Sequence, residues 1–218
     1  MALRRWWSAK RFEDDAKMSF WQRNSVARWA ATRTGGGTSR RWIVRAVEES
    51  LRRLQADYID LYQSTTPDPD TDLEETLAAL TDLMSSGKVR AIGSSNTLVS
   101  DIVDGQWVAE RHGLRRFRTD PAPYSLLNRG IETEILPTAQ RFGMGVIAWG
   151  PLGQGMLTGR VRRGQKSDLV RTGMIKALDD ERRLEKVEQF LRLATESGIP
   201  ITHLAMSFAI THPGITSA

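Results

Sequence analysis

The sequence predicts an α/β chain built as a partial (β/α)8 TIM barrel. Short apolar runs alternate with amphipathic segments along the 218 residues, and such alternation with short connections requires right-handed crossovers and a parallel sheet. No strand is followed by GxGxxG opening a helix, which weakens the doubly wound alternative. Small and polar residues gather at the strand C-terminal ends, at 63–66, 94–97 and 150–155. That is the face on which barrels place their sites. About four strands are readable, where a closed barrel needs eight.

The elements follow in order from residue 39. In "SRRWIVRAVEESLRRLQ", Ile43, Val47, Leu51 and Leu54 fall at helical spacing behind Ser39 as a cap. "DYIDLYQ" holds a short apolar run, as expected of a parallel strand covered on both faces. Thr71 with Glu74 three residues on reads as a capping box, opening a helix with Leu73, Leu77, Leu80 and Met84 on one side and Gly87 as its stop. "VRAIGSSN" is a second strand, and "LVSDIVDGQWVAERHG" a helix closed by Gly113. "FRTDPAPY" is a strand end broken by prolines, "IETEILPTAQRFG" a helix, and "MGVIAWGPLG" a strand running into a glycine-rich turn. Residues 161–178 have weak periodicity and read as a loop. "DDERRLEKVEQFLRLATESG" and "PITHLAMSFAITHPG" are two further helices.

Composition bounds the function. The chain is 40% hydrophobic, enough for a real core. It has no apolar run of transmembrane length and no signal-peptide pattern at its start, so a cytoplasmic location with no membrane partner is expected. Zero cysteines exclude disulfides and thiolate metal sites. His112, His203 and His212 show no ligand spacing, so no metal site is expected. The net charge of +5 is located at one end. Residues 1–38 carry eight Lys or Arg against three Asp or Glu, and the rest balances at 23 of each sign. A basic arm interleaved with Trp6, Trp7, Trp21 and Trp29 has the groups to stack on bases and pair with phosphates. Charge runs specify partners loosely, and no nucleic-acid partner is expected.

Four stretches then carry a resemblance: "SRRWIVRAVEESLRRLQADYIDLYQ", "GKVRAIGSSN", "YSLLNRGIETEILPTAQRFGMGVIAWGPLGQGMLTGR" and "HLAMSFAITHPGITSA". Together and in this order they resemble the aldo/keto reductase family, which folds as a TIM barrel and reduces carbonyls with NADPH. The resemblance covers about residues 39–160 and 180–218 and implies an NADPH cofactor, with NAD not excluded, and a small aldehyde or ketone as substrate. Ser95 and Asn96 match the pair that hydrogen-bonds the nicotinamide carboxamide, and a hydroxyl and an amide suit its donor and acceptor. Read alone, "SSN" equally caps the next helix. Trp149 matches the aromatic position that stacks on the nicotinamide ring. The segment Gly150, Pro151, Leu152, Gly153, Gly155 and Leu157 matches the loop around the pyrophosphate, where glycines let backbone N–H groups approach anionic oxygens.

The departures are as informative. The resemblance implies general acid catalysis by a Tyr tuned by Lys and Asp, with a His at the end of the fourth strand. Thr65 stands at that His position and offers neither an imidazole donor nor titration near neutrality. Pro121 replaces a glutamine that helps hold the carboxamide. Residues 1–38 lack the segment bearing the Asp, Tyr and Lys, and "ATRTGG" offers only Arg33 where the lysine would be. None of the tyrosines, Tyr58, Tyr62 and Tyr124, stands in a proton donor's place. The expectation is a basic leader over 1–38, arising from a shifted frame or misplaced start, then an incomplete barrel over 39–218 without its first strands and its eighth. Catalysis is expected to be lost or severely impaired, the alternative being a non-catalytic NADPH-binding or interaction module. Substrate and oligomeric state are left open.

Overall fold

The computed structural model describes residues 37–64, 68, 70–162 and 181–218. Residues 1–36, the bulk of the stretch read as a leader, Thr65, and most of the stretch 161–178 read as a loop lie outside them. The chain divides into two compact units, residues 1–121 with 137–146, and residues 122–136 with 147–218.

The first unit opens with α1 (Arg40–Leu54), whose Ile43, Val47 and Leu51 are buried at four-residue spacing. Ser39 is its N-cap residue and makes no side-chain cap bond. The Arg40 N–H donates instead to Glu75 Oε1 at 2.8 Å. β1 (Ile59–Gln63) pairs in parallel with β2 (Val89–Gly93), in the register Ile59 to Val89, Tyr62 to Ile92 and Gln63 to Gly93. Ile59, Tyr62, Val89 and Ile92 are buried, which suits a strand pair under helices. α2 (Leu73–Ser85) lies between them in sequence and packs against α1, β2 and the helix α3 (Val99–His112). Leu77, Leu80 and Leu83 fill the inside of α2, and each full burial is worth about 1.5–3 kcal/mol.

The capping box expected at Thr71 and Glu74 does not form. Asp72 is the N-cap residue of α2, because the Thr71 hydroxyl donates to Asp68 Oδ2 at 3.0 Å. That carboxylate also accepts the Thr38 N–H at 3.0 Å. Thr38, assigned to the leader by sequence, is buried and built into this unit. Gly87, at φ +77°, ends the helix as expected.

β3 (Thr119–Pro123) and β4 (Gly145–Trp149) cross from the first unit into the second. In the first unit the Gly145 N–H donates to the Arg118 carbonyl at 2.8 Å, and in the second the Tyr124 N–H donates to the Trp149 carbonyl at 3.1 Å. The single helix expected over "IETEILPTAQRFG" is a 3₁₀ turn, Gly130–Glu132, followed by α4 (Ile135–Arg141). Pro137 falls in the first turn of α4, where a missing N–H costs nothing.

In the second unit a 3₁₀ segment, Gly153–Thr158, follows β4, and α5 (Glu181–Ser197) and α6 (Ile201–Thr211) complete the chain. Its core joins Met156, Leu157, Val161, Leu184, Val187 and Ala205. The chain end is not without strand pairing. Ile147 and Ser217 form a parallel bridge, with the Ala148 N–H donating to the Ser217 carbonyl at 2.7 Å. The protein is thus α/β with parallel pairing, and four strands among the described residues. No helix among them is long and apolar enough to cross a membrane.

Candidate functional site

In the first unit the candidate residues sit on the turn that leaves β2. Gly93 ends the strand where a Cβ would lie 2.2 Å from Thr119 Oγ1 and 2.8 Å from its carbonyl oxygen. Only glycine lets the two backbones come this close. The chain then runs beside β3, with the Ser94 N–H donating to the Thr119 carbonyl at 2.9 Å and the Asn96 N–H to the Pro121 carbonyl at 3.1 Å. Pro121 therefore has no polar side chain to offer a carboxamide, yet its carbonyl fixes Asn96. Ser95 is buried, whereas Asn96 is exposed and left-handed at φ +52°, a conformation uncommon outside glycine and best tolerated by Asn and Asp. The Asn96 Nδ2 donates to Ser95 Oγ at 3.3 Å, so the two side chains present one donor and acceptor group. The turn leads into α3 without a side-chain cap from its N-cap residue, Leu98.

Behind this turn lies Asp120, fully buried. Its Oδ1 accepts the Ser94 hydroxyl at 2.8 Å. Its Oδ2 and the Thr97 hydroxyl meet no partner at hydrogen-bond geometry, and the Thr97 hydroxyl and N–H act on the carboxylate as nearby dipoles. Burial pushes the Asp120 carboxyl up to about 6, against the pull of Ser94 and Thr97. Ser94 and Thr97 also line a cleft of about 230 Å³ within this unit, together with Asp68, Asp101, Asp104 and Phe117.

In the second unit Trp149 is half-buried at the end of β4. The chain then turns through Gly150 at φ +69°, Gly153 at +58°, Gln154 at +58° and Gly155 at +102°. The Gly153 N–H donates to the Gly150 carbonyl, and the Gly155 and Leu157 N–H groups converge on the Leu152 carbonyl. Trp149, Gly150, Gly153 and Gln154 line a cleft of about 170 Å³ with Asn128 and Arg183. Pro151 and Leu152 are half-buried beside it. Leu157 is placed differently from the sequence expectation. Its side chain is wholly buried in the core and its N–H is taken, so it anchors the turn from below.

The three tyrosines are occupied elsewhere. Tyr58 lies under the Arg90 guanidinium, 3.6 Å from its ring centroid, and Tyr62 is buried in β1. The Tyr124 hydroxyl donates to Glu132 Oε1 at 2.7 Å, and its ring stacks on Phe208. Burial, with Glu132 beside it, pushes the Tyr124 hydroxyl above its ordinary value. Glu132 also accepts Arg129 Nε and Nη2, both at 2.8 Å, and Arg129 and Tyr124 hold its carboxyl down to about 2. Such a phenol is a poor proton donor near neutral pH. Thr65, at the expected His position, lies outside the described residues.

The structure adds Asp120, Gln154 and Arg183 to the residues read from sequence. Asp120 carried a usable signal, a lone carboxylate within an apolar strand. Gln154 and Arg183 carried none, since both read as ordinary turn and helix-surface residues.

A model of the aldo/keto reductase family matches residues 27–218, beginning within the stretch set apart as a leader. The chain is 37% identical over 175 residues to the uncharacterized oxidoreductase YrpG of Bacillus subtilis, covering 80% of this chain and 53% of that protein. It is 34% identical over 183 residues to the putative aryl-alcohol dehydrogenase C977.14c of Schizosaccharomyces pombe, covering 82% and 51%. With the aldo-keto reductase YhdN of Bacillus subtilis the identity is 34% over 199 residues, covering 89% and 56%. The chain spans about half the length of these curated relatives.

Proposed function

Because the chain belongs to the aldo/keto reductase family, we propose that it is an NADPH-binding oxidoreductase relative in which carbonyl reduction is lost or severely impaired. In this reading the chain is part of a (β/α)8 barrel, as the family implies. Ser95 and Asn96 take the carboxamide of the nicotinamide, Trp149 stacks on its ring, and the turn from Gly150 to Gly155 carries the pyrophosphate. When bound, the nicotinamide supplies the hydride that reduces a carbonyl. The chain's own residues orient it and exclude water.

The observation that carries the binding half is the left-handed turn opening beside a half-buried indole and an arginine in one cleft. Positive φ at Gly150, Gly153 and Gly155 suits residues without a side chain, which lets a ligand approach the backbone of the turn closely. The carboxamide side fits less fully, because Pro121 contributes no side-chain group. Impairment is supported by Thr65 in place of an imidazole and by tyrosines engaged with Arg90, the β1 core and Glu132. A small aldehyde or ketone is the substrate class if activity remains.

Calorimetric titration of NADPH and of NADH, with an aldehyde turnover assay in parallel, tests both halves. Saturable NADPH binding is expected, weakened about tenfold in Trp149→Ala by loss of ring stacking, with no dihydronicotinamide consumed. Absence of binding would refute the first half. Turnover at an ordinary enzymatic rate, on the order of 1 s⁻¹ or faster, would refute the second.

A further inference from the structure

We propose that Asp120 is a positioning residue for the nicotinamide side of the cofactor site, its buried carboxylate holding Ser94 by a hydrogen bond and facing Thr97, the two residues that bracket Ser95 and Asn96. This rests on the reading above that Ser95 and Asn96 meet the carboxamide. The carboxylate takes the Ser94 hydroxyl at 2.8 Å on one oxygen, and the other lies toward Thr97, whose hydroxyl and N–H are the remaining polar groups acting on it. No charged side chain is among those groups.

The arrangement is costly for a purely structural strand position. A fully buried carboxylate with one hydrogen bond and an oxygen outside hydrogen-bond geometry is less favourable than an apolar side chain of similar size. What it gains is control of a turn that needs holding. Asn96 is left-handed and exposed, and its N–H donates to the carbonyl of Pro121, next in chain to Asp120. Ser94 and Thr97 flank the pair on either side, so one rigid group behind the turn sets the direction in which Ser95 and Asn96 face. Burial raises the carboxyl to about 6, which leaves it charged at neutral pH and therefore a strong acceptor for the Ser94 hydroxyl.

The test compares Asp120→Asn with the wild type in two measurements. In the first, affinities are taken for NADPH and for 2′-phospho-ADP-ribose, which lacks the nicotinamide. Loss of the acceptor's charge at the Ser94 hydrogen bond predicts about tenfold weaker NADPH binding, with 2′-phospho-ADP-ribose changed less than about twofold. A fall in both ligands together, or no change for NADPH, overturns the proposal. In the second, amide hydrogen exchange is followed by residue. It should speed up at residues 95–97 and stay unchanged at Ile43 and Val47 in α1. If the wild type binds neither ligand, the proposed function fails by itself, and exchange still decides the clamp: faster exchange confined to 95–97 supports it, and unchanged exchange overturns it. Should Asp120→Asn not fold, Ser94→Ala removes the donor while keeping the carboxylate, and about threefold weaker NADPH binding with the same ligand split is expected.

Discussion

Asp120 in the first unit and Glu132 in the second are both carboxylates that accept a hydroxyl, at 2.8 and 2.7 Å, yet they sit at opposite ends of the acid range. Glu132 adds a two-pronged arginine and is held down to about 2. Among the described residues Asp120 meets no cation and makes one full hydrogen bond, and burial lifts it to about 6. The difference teaches where each unit puts its polar interactions. The second unit closes a complete network around Tyr124 and so takes that hydroxyl out of proton chemistry. The first keeps an incompletely matched charge directly behind the turn expected to meet the cofactor.

The comparison breaks most visibly through pH. The folded pKa of Asp120 is raised above the unfolded value of 3.8, so the folded state holds more protons between the two values. Its stabilising contribution is full below about pH 4 and is lost as pH rises through about 6. The shift corresponds to on the order of 3 kcal/mol. Urea unfolding from pH 4 to 7 should therefore show the wild type losing stability relative to Asp120→Asn by about that much; parallel curves would show that Asp120 is not desolvated.

Glu132 has the opposite sign and a smaller effect. Its pKa is depressed below 4.5, so its contribution is present above that value and lost as pH falls toward about 2. Arg129 is largely exposed, so the effect is discounted for solvent screening to about 1 kcal/mol. Glu132→Gln should be less stable than the wild type by that amount at neutral pH, with the difference closing below pH 4. A difference that persisted at low pH would place the role of Glu132 in packing instead of charge.

Much of the fold was legible because burial period and caps are local. The stripes of α1 and α2, the stop at Gly87 and the apolar run of β1 follow from residues within one or two turns of each other. The start of α2 was misread because the Thr71 hydroxyl answers to Asp68, which also ties Thr38 to the loop from 30 residues away. The helix before β4 was read as continuous because its 3₁₀ entry uses residues that also suit an α-helix. β3 carries two prolines, which cannot donate to a ladder, and its pairing became visible only in space. The Ile147 to Ser217 bridge was hidden for the same reason.

The site divided in the same way. The candidates Ser95, Asn96 and Trp149 stand in contiguous motifs, and so do Gly150 and Gly153, whose positive φ shows only in the folded chain. Leu157 was carried along by its motif, although an apolar side chain beside four glycine-rich positions is more naturally the anchor that it proves to be. Asp120 gains its meaning only from Ser94, 26 residues earlier in the chain, and no local pattern could supply that pairing.

The measurement that bears most directly on the account is a thermal melt of the protein followed by near-UV circular dichroism, with and without NADPH. The packed aromatic residues make the transition visible, and a ligand specific for the native state must raise its midpoint. The account predicts one cooperative transition that moves upward with NADPH and does so less in Trp149→Ala. A cooperative melt indifferent to NADPH would contradict it.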